Sequence, residues 1–309
     1  MIKSSVDIEA LEKGILERNP GMLSKAITLV ESKLQSHQDA ASLLLNQLMP
    51  YTEKSVRIGI TGVPGVGKST FIESFGGLLT KKGHRVAVLA VDPSSPISKG
   101  SILGDKTRME NLAVNPQAFI RPSASGGTLG GIAQRTYESI LLCEAAGYDI
   151  ILVETVGVGQ SETLVTGTGD ELQGIKRGIM EMADLIFINK ASEDNLAAAQ
   201  RTQNELHKAL HLYPMKSSGY KVEVLMGEAL HDIGIEAVWD FIQDQQAHIK
   251  STGFFNRQRQ NQRLDIFKSH LGQLVMDYLQ NNPSFEQALS QAEKLIQYGE
   301  MHPLFGAKE

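Results

Sequence analysis

Five short apolar runs alternate with helical stretches through the middle of this chain, and that alternation constrains the fold more than any other feature. VRIGITG, RVAVLAVD, YDIILVET, ADLIFINK and YKVEVLMG are rich in Val and Ile, and each gives way to Gly, Asp or Asn and then to a helical pattern. Runs of this kind suit strands buried on both faces, joined by crossover helices. The pattern predicts an α/β fold with a mostly parallel sheet and helices on both faces.

The two ends read differently. LEKGILERN and GMLSKAITLVESKL space their apolar residues by three and four, broken at Asn19-Pro20-Gly21, and DAASLLLNQLMPY continues as a helix stopped by Pro50. From about residue 237 the text is helical again, and LDIFKSHLGQLVMDYL has the periodicity of an amphipathic helix that needs a partner surface. The expected organisation is a helical extension over 1–50, a sheet domain over 51–245 and a helical arm over 246–309.

Charge and cysteine content narrow the function classes. A net charge of −5 gives no basic footprint for nucleic acid or an anionic membrane. The single cysteine, Cys143, excludes an internal disulfide and fits a reducing cytoplasm; its helical surroundings suggest a buried structural thiol. The N-terminus lacks an apolar signal region and no run of eighteen apolar residues occurs, so a soluble cytoplasmic protein with no membrane partner is expected.

The strand-like VRIGIT runs directly into GVPGVGKS: Gly62, Val63, Pro64, Gly65, Val66, Gly67, Lys68 and Ser69, followed by Thr70. Successive N–H groups in such a loop form a concave anion site, and glycine lets the backbone approach phosphate oxygens closely. Lys68 suits the β- and γ-phosphates, the Ser69 hydroxyl suits Mg²⁺, and the helix behind adds its N-terminal dipole. The chain is therefore expected to bind a nucleoside polyphosphate.

Three acids stand where a metal–phosphate site would want them. Asp92 and Glu154 end strand-like runs, and Asp105 lies in the polar segment SILGDKTRM. Strand C-termini of a parallel sheet face the ligand crevice, so acids there suit Mg²⁺ held directly or through water. ETVGVGQSE has the E-x-x-G form of a switch loop, with the Gly157 N–H able to sense a γ-phosphate and Gln160 a weaker candidate to orient water. FINKASED places Asn189 and Lys190 in a base-reading loop. His207 and His211 are spaced i, i+4 with no acid or cysteine beside them, and read as a partly buried helix face. Trp239 and Phe241 read as helix-to-sheet packing.

Taken together, GVPGVGKST, AVDPSSP, GDKTRM, RPSASGGTLGG, ETVGVGQSE and DELQGIKRGIMEMAD resemble the MeaB/ArgK-type P-loop GTPases, the family of the methylmalonic aciduria type A protein. The likeness runs from about residue 20 to 245. It implies a SIMIBI-type GTPase fold that binds GTP and GDP with Mg²⁺, and a homodimer formed through the C-terminal arm. It also implies a chaperone that gates adenosylcobalamin loading of methylmalonyl-CoA mutase and protects that enzyme. Carried onto this chain, Gly62 to Thr70 hold phosphates, Ser69, Asp92, Asp105 and Glu154 serve metal and water, and Gly157 belongs to the second switch. Asp170 to Lys176 resemble a third switch, with Lys176 a candidate to stabilise phosphate charge when a partner docks. A nucleotide-binding scaffold with little hydrolysis is the alternative; a transport ATPase or kinase is a further one.

Two departures stand out. The family's N-K-x-D loop uses its aspartate to accept from guanine N1–H and the exocyclic amine, whereas this chain has Ser192. The companion segment, S-A-L in the family, reads Glu228-Ala229-Leu230, with the Ala229 N–H still available to the base carbonyl. Weakened guanine preference is the expectation, by roughly 10- to 100-fold, unless Glu193 or Asp194 substitutes. Secondly, only TLVTGT separates Gln160-Ser161-Glu162 from Gly169, where the family has about a dozen residues more, a helix turn and a strand. A strand missing beside the phosphate-loop strand would leave unpaired backbone and a core gap, unless the sheet closes by another route.

Overall fold

The computed structural model describes residues 6–63, 65–92, 109–124, 129–155, 163–167 and 177–302. It divides into two compact units, residues 1–255 and 256–309.

Among the described residues, seven parallel strands form the sheet of the first unit: β1 (Val56–Gly62), β2 (Val86–Asp92), β3 (Ala118–Ala124), β4 (Ile150–Thr155), β5 (Thr163–Gly167), β6 (Leu185–Ile188) and β7 (Glu223–Met226), ordered β3-β2-β4-β1-β5-β6-β7. All five strands expected from the apolar runs are present. β3 carries Pro122, which argues against a strand by sequence; it is tolerated because β3 is the edge strand of the sheet among the described residues.

The alternation of side chains along a strand sorts the core into two layers. Ala87, Leu89, Ile151 and Val153 face the N-terminal helices α1 (Ile8–Leu16), α2 (Pro20–Glu31) and α3 (Gln35–Leu48), whose buried residues include Ile15, Leu23, Ile27, Leu44 and Leu48. The N-terminal segment therefore covers one face of the sheet. α2 starts where its cap dictates: Asn19 Oδ1 accepts from the N–H groups of Gly21 and Met22, and Pro20 occupies the first helical position.

On the opposite face, Ile58, Ile60, Val86, Val88, Ile150 and Leu152 meet α4 (Lys68–Lys81), while Leu185 and Phe187 join the same core. Phe71 of α4 lies with its ring centroid 5.4 Å from Phe75 and 5.1 Å from Phe187, and Phe75 is 6.3 Å from Trp239. Such pairs add about 0.5–1.5 kcal/mol each beyond area burial, so they fix the helix behind the phosphate loop against β6. Three further helices lie off the strands: α5 (Glu110–Ala113), α6 (Leu129–Ala145) and α7 (Arg177–Met182). α8 (Leu196–Leu210) follows β6, and α9 (Ile235–Ser251) carries Trp239 and the partly buried Phe241 onto the core, as expected. His207 and His211 are exposed at the end of α8 rather than partly buried.

A buried ion pair joins α6 to β1. The Glu144 carboxylate accepts from Arg57 Nε and one terminal nitrogen, each at 2.9 Å, from Ser55 Oγ at 2.5 Å and from the Glu53 N–H at 2.7 Å. Four donors on one carboxylate offset the cost of removing it from water. Its neighbour Cys143 is fully buried, and burial pushes its thiol far above the ordinary range, consistent with the structural thiol expected.

The expected gap beside β1 is absent. Thr163–Gly167, drawn from the short TLVTGT segment, is itself strand β5, and it pairs with β1 on one side and β6 on the other. Only residues 156–162 join β4 to β5, where a parallel crossover usually takes a dozen or more. Register explains why seven are enough. Thr163 and Val153 both pair with Gly59, so β5 starts only two residues below the end of β4. The connection has to drop about 7 Å along the strands and cross about 10 Å of sheet. The pairing covers only the upper part of β1, Gly59–Gly62.

The second unit begins within α10 (Phe254–Gln280) and contains α11 (Pro283–Gln297). Among the described residues, no helix is long and apolar enough to cross a membrane.

Candidate nucleotide-binding site

The site is built where β1 turns into α4. Gly65 and Gly67 adopt φ of +83° and +93°, left-handed values that glycine takes without steric cost, and α4 starts at Lys68 with no side-chain cap. The first N–H groups of α4 therefore remain available to an anion. Lys68 Nζ donates to the Gly62 carbonyl at 2.8 Å and to that of Val63 at 3.3 Å, which folds the ammonium over the loop. Partial burial pulls its pKa below the ordinary lysine value, and the Glu154 carboxylate opposes that shift. Glu154, next to last in β4, pairs with Ile60 of β1 and Ala90 of β2.

The loop expected to read the base is bonded to the phosphate loop. Asn189, buried at the tip of β6, donates from Nδ2 to the Val66 carbonyl at 3.0 Å; its Oδ1 accepts from the N–H of Lys190 at 2.9 Å and of Ala229 at 3.0 Å. Lys190, at φ +59°, sends Nζ to the Gly65 carbonyl at 2.8 Å. One asparagine thus ties together three segments far apart in sequence. The tips of β6 and β7 are joined further, by Gly227 N–H to Ile188 O at 3.0 Å and Ala191 N–H to Gly227 O at 2.9 Å.

The structure brings together Gly62, Val63, Gly65, Val66, Gly67, Lys68, Asn189, Lys190 and Ala229 as bonded or facing groups, with Glu154 acting on Lys68. Ser69 and Thr70 follow Lys68 in the first turn of α4, and Asp92 is the last residue of β2. Ser192 begins a 3-10 turn (Glu193–Asn195) without its side chain capping it, and Leu230 is exposed. Pro64, Asp105, Gly157, Gln160, Asp170 and Lys176 lie outside the described residues. An open groove of about 700 Å³ runs along α4, lined by Thr70, Ser74, Leu112, Ala229, Leu230 and Asp232 among others.

Sequence reasoning missed Gly227. A Cβ there would sit 2.1 Å from the Ile233 carbonyl oxygen, because the Glu228 and Ile233 backbones bond to each other in both directions. The visible signal was a glycine closing the run YKVEVLMG just before the companion segment.

Comparison with known proteins agrees with this geometry. A model of the family described as "Methylmalonyl Co-A mutase-associated GTPase MeaB" matches residues 23–284. A "Putative GTPase" of Caulobacter vibrioides is 45% identical over 309 residues, covering 96% of this chain and 94% of that protein. "GTPase ArgK" of Escherichia coli is 44% identical over 299 residues, covering 93% and 90%. The mouse "Methylmalonic aciduria type A homolog, mitochondrial" is 40% identical over 318 residues, covering 96% and 77%. A crystal structure described as "LAO/AO transport system kinase" superposes with a TM-score of 0.78 at 35% identity, covering 100% of this chain and 97% of that one. A phosphate loop clamped by Asn189 on a parallel sheet, and a family match across most of the chain, make this protein a member of the MeaB family of P-loop GTPases.

Proposed function

We propose that this GTPase uses guanine nucleotide binding and hydrolysis as the switch of a chaperone for adenosylcobalamin-dependent methylmalonyl-CoA mutase, gating cofactor loading and protecting the enzyme. The single observation that carries the nucleotide half is the Asn189 side chain, which bonds both the phosphate loop and the companion segment. The mutase half rests on the family's description and on the relatives named for methylmalonic aciduria.

In this reading the N–H groups of Gly65 to Thr70 hold the β- and γ-phosphates. Lys68 exchanges its two loop carbonyls for phosphate oxygens, a trade favoured by charge-assisted bonding. Ser69 offers a hydroxyl and Glu154 a carboxylate from neighbouring elements, hard oxygen donors that suit magnesium. Asp92 and Asp105 complete that set, and Gly157 and Lys176 act in the switches. Magnesium, when bound, offsets phosphate charge as the γ-phosphoryl group leaves.

A homodimer belongs to the same proposal. Leu264, Phe267, Leu271, Leu274 and Tyr278 recur at three- and four-residue spacing on α10, and all are exposed. Such a seam matches a helix that packs against a second copy of itself.

The test is hydrolysis of GTP and ATP by the purified protein, with and without methylmalonyl-CoA mutase. Mutase-accelerated GTP turnover supports the chaperone. Intact nucleotide binding with no turnover in either condition favours the scaffold alternative.

A further inference from the structure

The two departures from the family's base-reading pattern are reciprocal. At position 192 a hydroxyl stands in place of an acid, and at position 228 an acid stands in place of a hydroxyl. The structure puts the two positions on adjacent loop tips. Ala191 N–H bonds the Gly227 carbonyl at 2.9 Å, so the chain reaches Ser192 and Glu228 from residues already joined to each other. Ala229, on the other side of Glu228, is fixed to Asn189 at 3.0 Å. Glu228 is thus held between two anchored neighbours, and its side chain is only 18% exposed. Glu193 and Asp194, by contrast, are exposed on the 3-10 turn that leads into α8.

We infer that the Glu228 carboxylate reads the guanine edge in this chain, accepting from N1–H and the exocyclic amine in place of the missing aspartate. Two adjacent donors on the base call for a group that only accepts, and a carboxylate supplies two oxygens with about four acceptor sites. A serine hydroxyl offers less acceptor capacity and no charge. His231 Nδ1 lies 3.0 Å from Glu228 Oε2, which orients the carboxylate without saturating it. Adenine presents an acceptor at N1, where a carboxylate is repelled, and inosine lacks the amine and loses one of the two bonds. The loss expected from Ser192 is offset from the neighbouring loop.

This inference rests on the guanine-nucleotide reading, and the experiment separates the two. Dissociation constants for GDP, IDP and ADP are measured by titration calorimetry on the full-length protein and its variants. The wild type is expected to prefer GDP over IDP by about 10- to 100-fold, the worth of one charge-assisted bond. Glu228→Gln and Glu228→Ser bring that ratio toward one, and adding Ser192→Asp to Glu228→Ser restores it. A wild-type ratio near one overturns the assignment while leaving phosphate-loop binding intact. A high ratio that survives Glu228→Gln also overturns it, and points to Glu193 or Asp194. A protein that binds none of the three nucleotides overturns the nucleotide reading and this assignment with it.

Discussion

Asn189, one residue past the end of β6, reaches Val66, 123 residues earlier, through a 3.0 Å hydrogen bond, and so ties the loop after β6 to the phosphate loop. Replacing Asn189 with Ala removes one donor and leaves the Ala229 N–H without its acceptor. The expected result is a 10- to 100-fold loss of GDP affinity, corresponding to about 1.5–3 kcal/mol, read by titration calorimetry. Asn189→Asp keeps the acceptor but sets a charge against the Val66 carbonyl, so it should bind no better than the alanine variant.

Gly67 faces the same asparagine. At φ +93° a side chain is strained, and a Cβ would stand 2.6 Å from Asn189 Nδ2. Gly67→Ala is expected to lower stability by about 1–2 kcal/mol through the left-handed backbone alone. Displacement of Asn189 should weaken GDP binding as well. Thermal unfolding with and without GDP checks both parts, since the ligand-induced rise in Tm should shrink.

The pair Arg57–Glu144 is almost wholly buried, with side chains 4% and 1% exposed. Removing one partner strands the other charge, so Glu144→Ala is expected to cost about 3–5 kcal/mol in urea unfolding. The double variant Arg57→Met/Glu144→Leu should lose less than Glu144→Ala does, because no charge is left unpaired. If the double loses as much, the four donors around Glu144, rather than the charge, carry the effect.

Leu164, Val165 and Thr166 of β5 have a paired neighbour on each side, so the Val165 N–H points at a paired strand whichever side it faces. Val165→Pro should therefore disrupt the sheet beside the phosphate loop, lowering both the urea midpoint and GDP affinity. A variant of unchanged stability would show that this segment is not a strand in solution.

On α10, Leu271→Glu with Leu274→Glu breaks the centre of the exposed apolar seam. Sedimentation velocity is expected to show a dimer for the wild type and a monomer for the double variant. Basal nucleotide binding should persist, since both residues belong to the second unit and the phosphate loop to the first.

What the sequence revealed depended on whether the signal was local. The phosphate loop was legible because Gly65, Gly67 and Lys68 act within one turn, and five strands were legible as apolar runs. β3 was hidden by Pro122, whose meaning depends on its place at the sheet edge. β5 was hidden because five residues between glycine-rich stretches carry too little pattern, and the register that makes a short connection sufficient is a property of three strands together. The Glu144 cluster joins residues 87 to 91 positions apart, and no spacing rule announces it. The sequence marks Asn189 and Lys190 as base-loop candidates, yet their bonds to Val66 and Gly65 appear only once β1 and β6 are placed.

The short link between β4 and β5 also couples their pairing with β1. The two strands stand one strand apart, β1 fills the slot between them, and only residues 156–162 join them. A tether of that length keeps the two strands within reach of each other, so a β1 that pairs with one is presented to the other at little further entropic cost. β6 and β7 lie beyond β5, on the side away from β1. Asn189 therefore reaches Val66 across β5, and without β5 in place the phosphate loop keeps the Lys68 bonds to Gly62 and Val63 but loses its tie to the far side of the sheet.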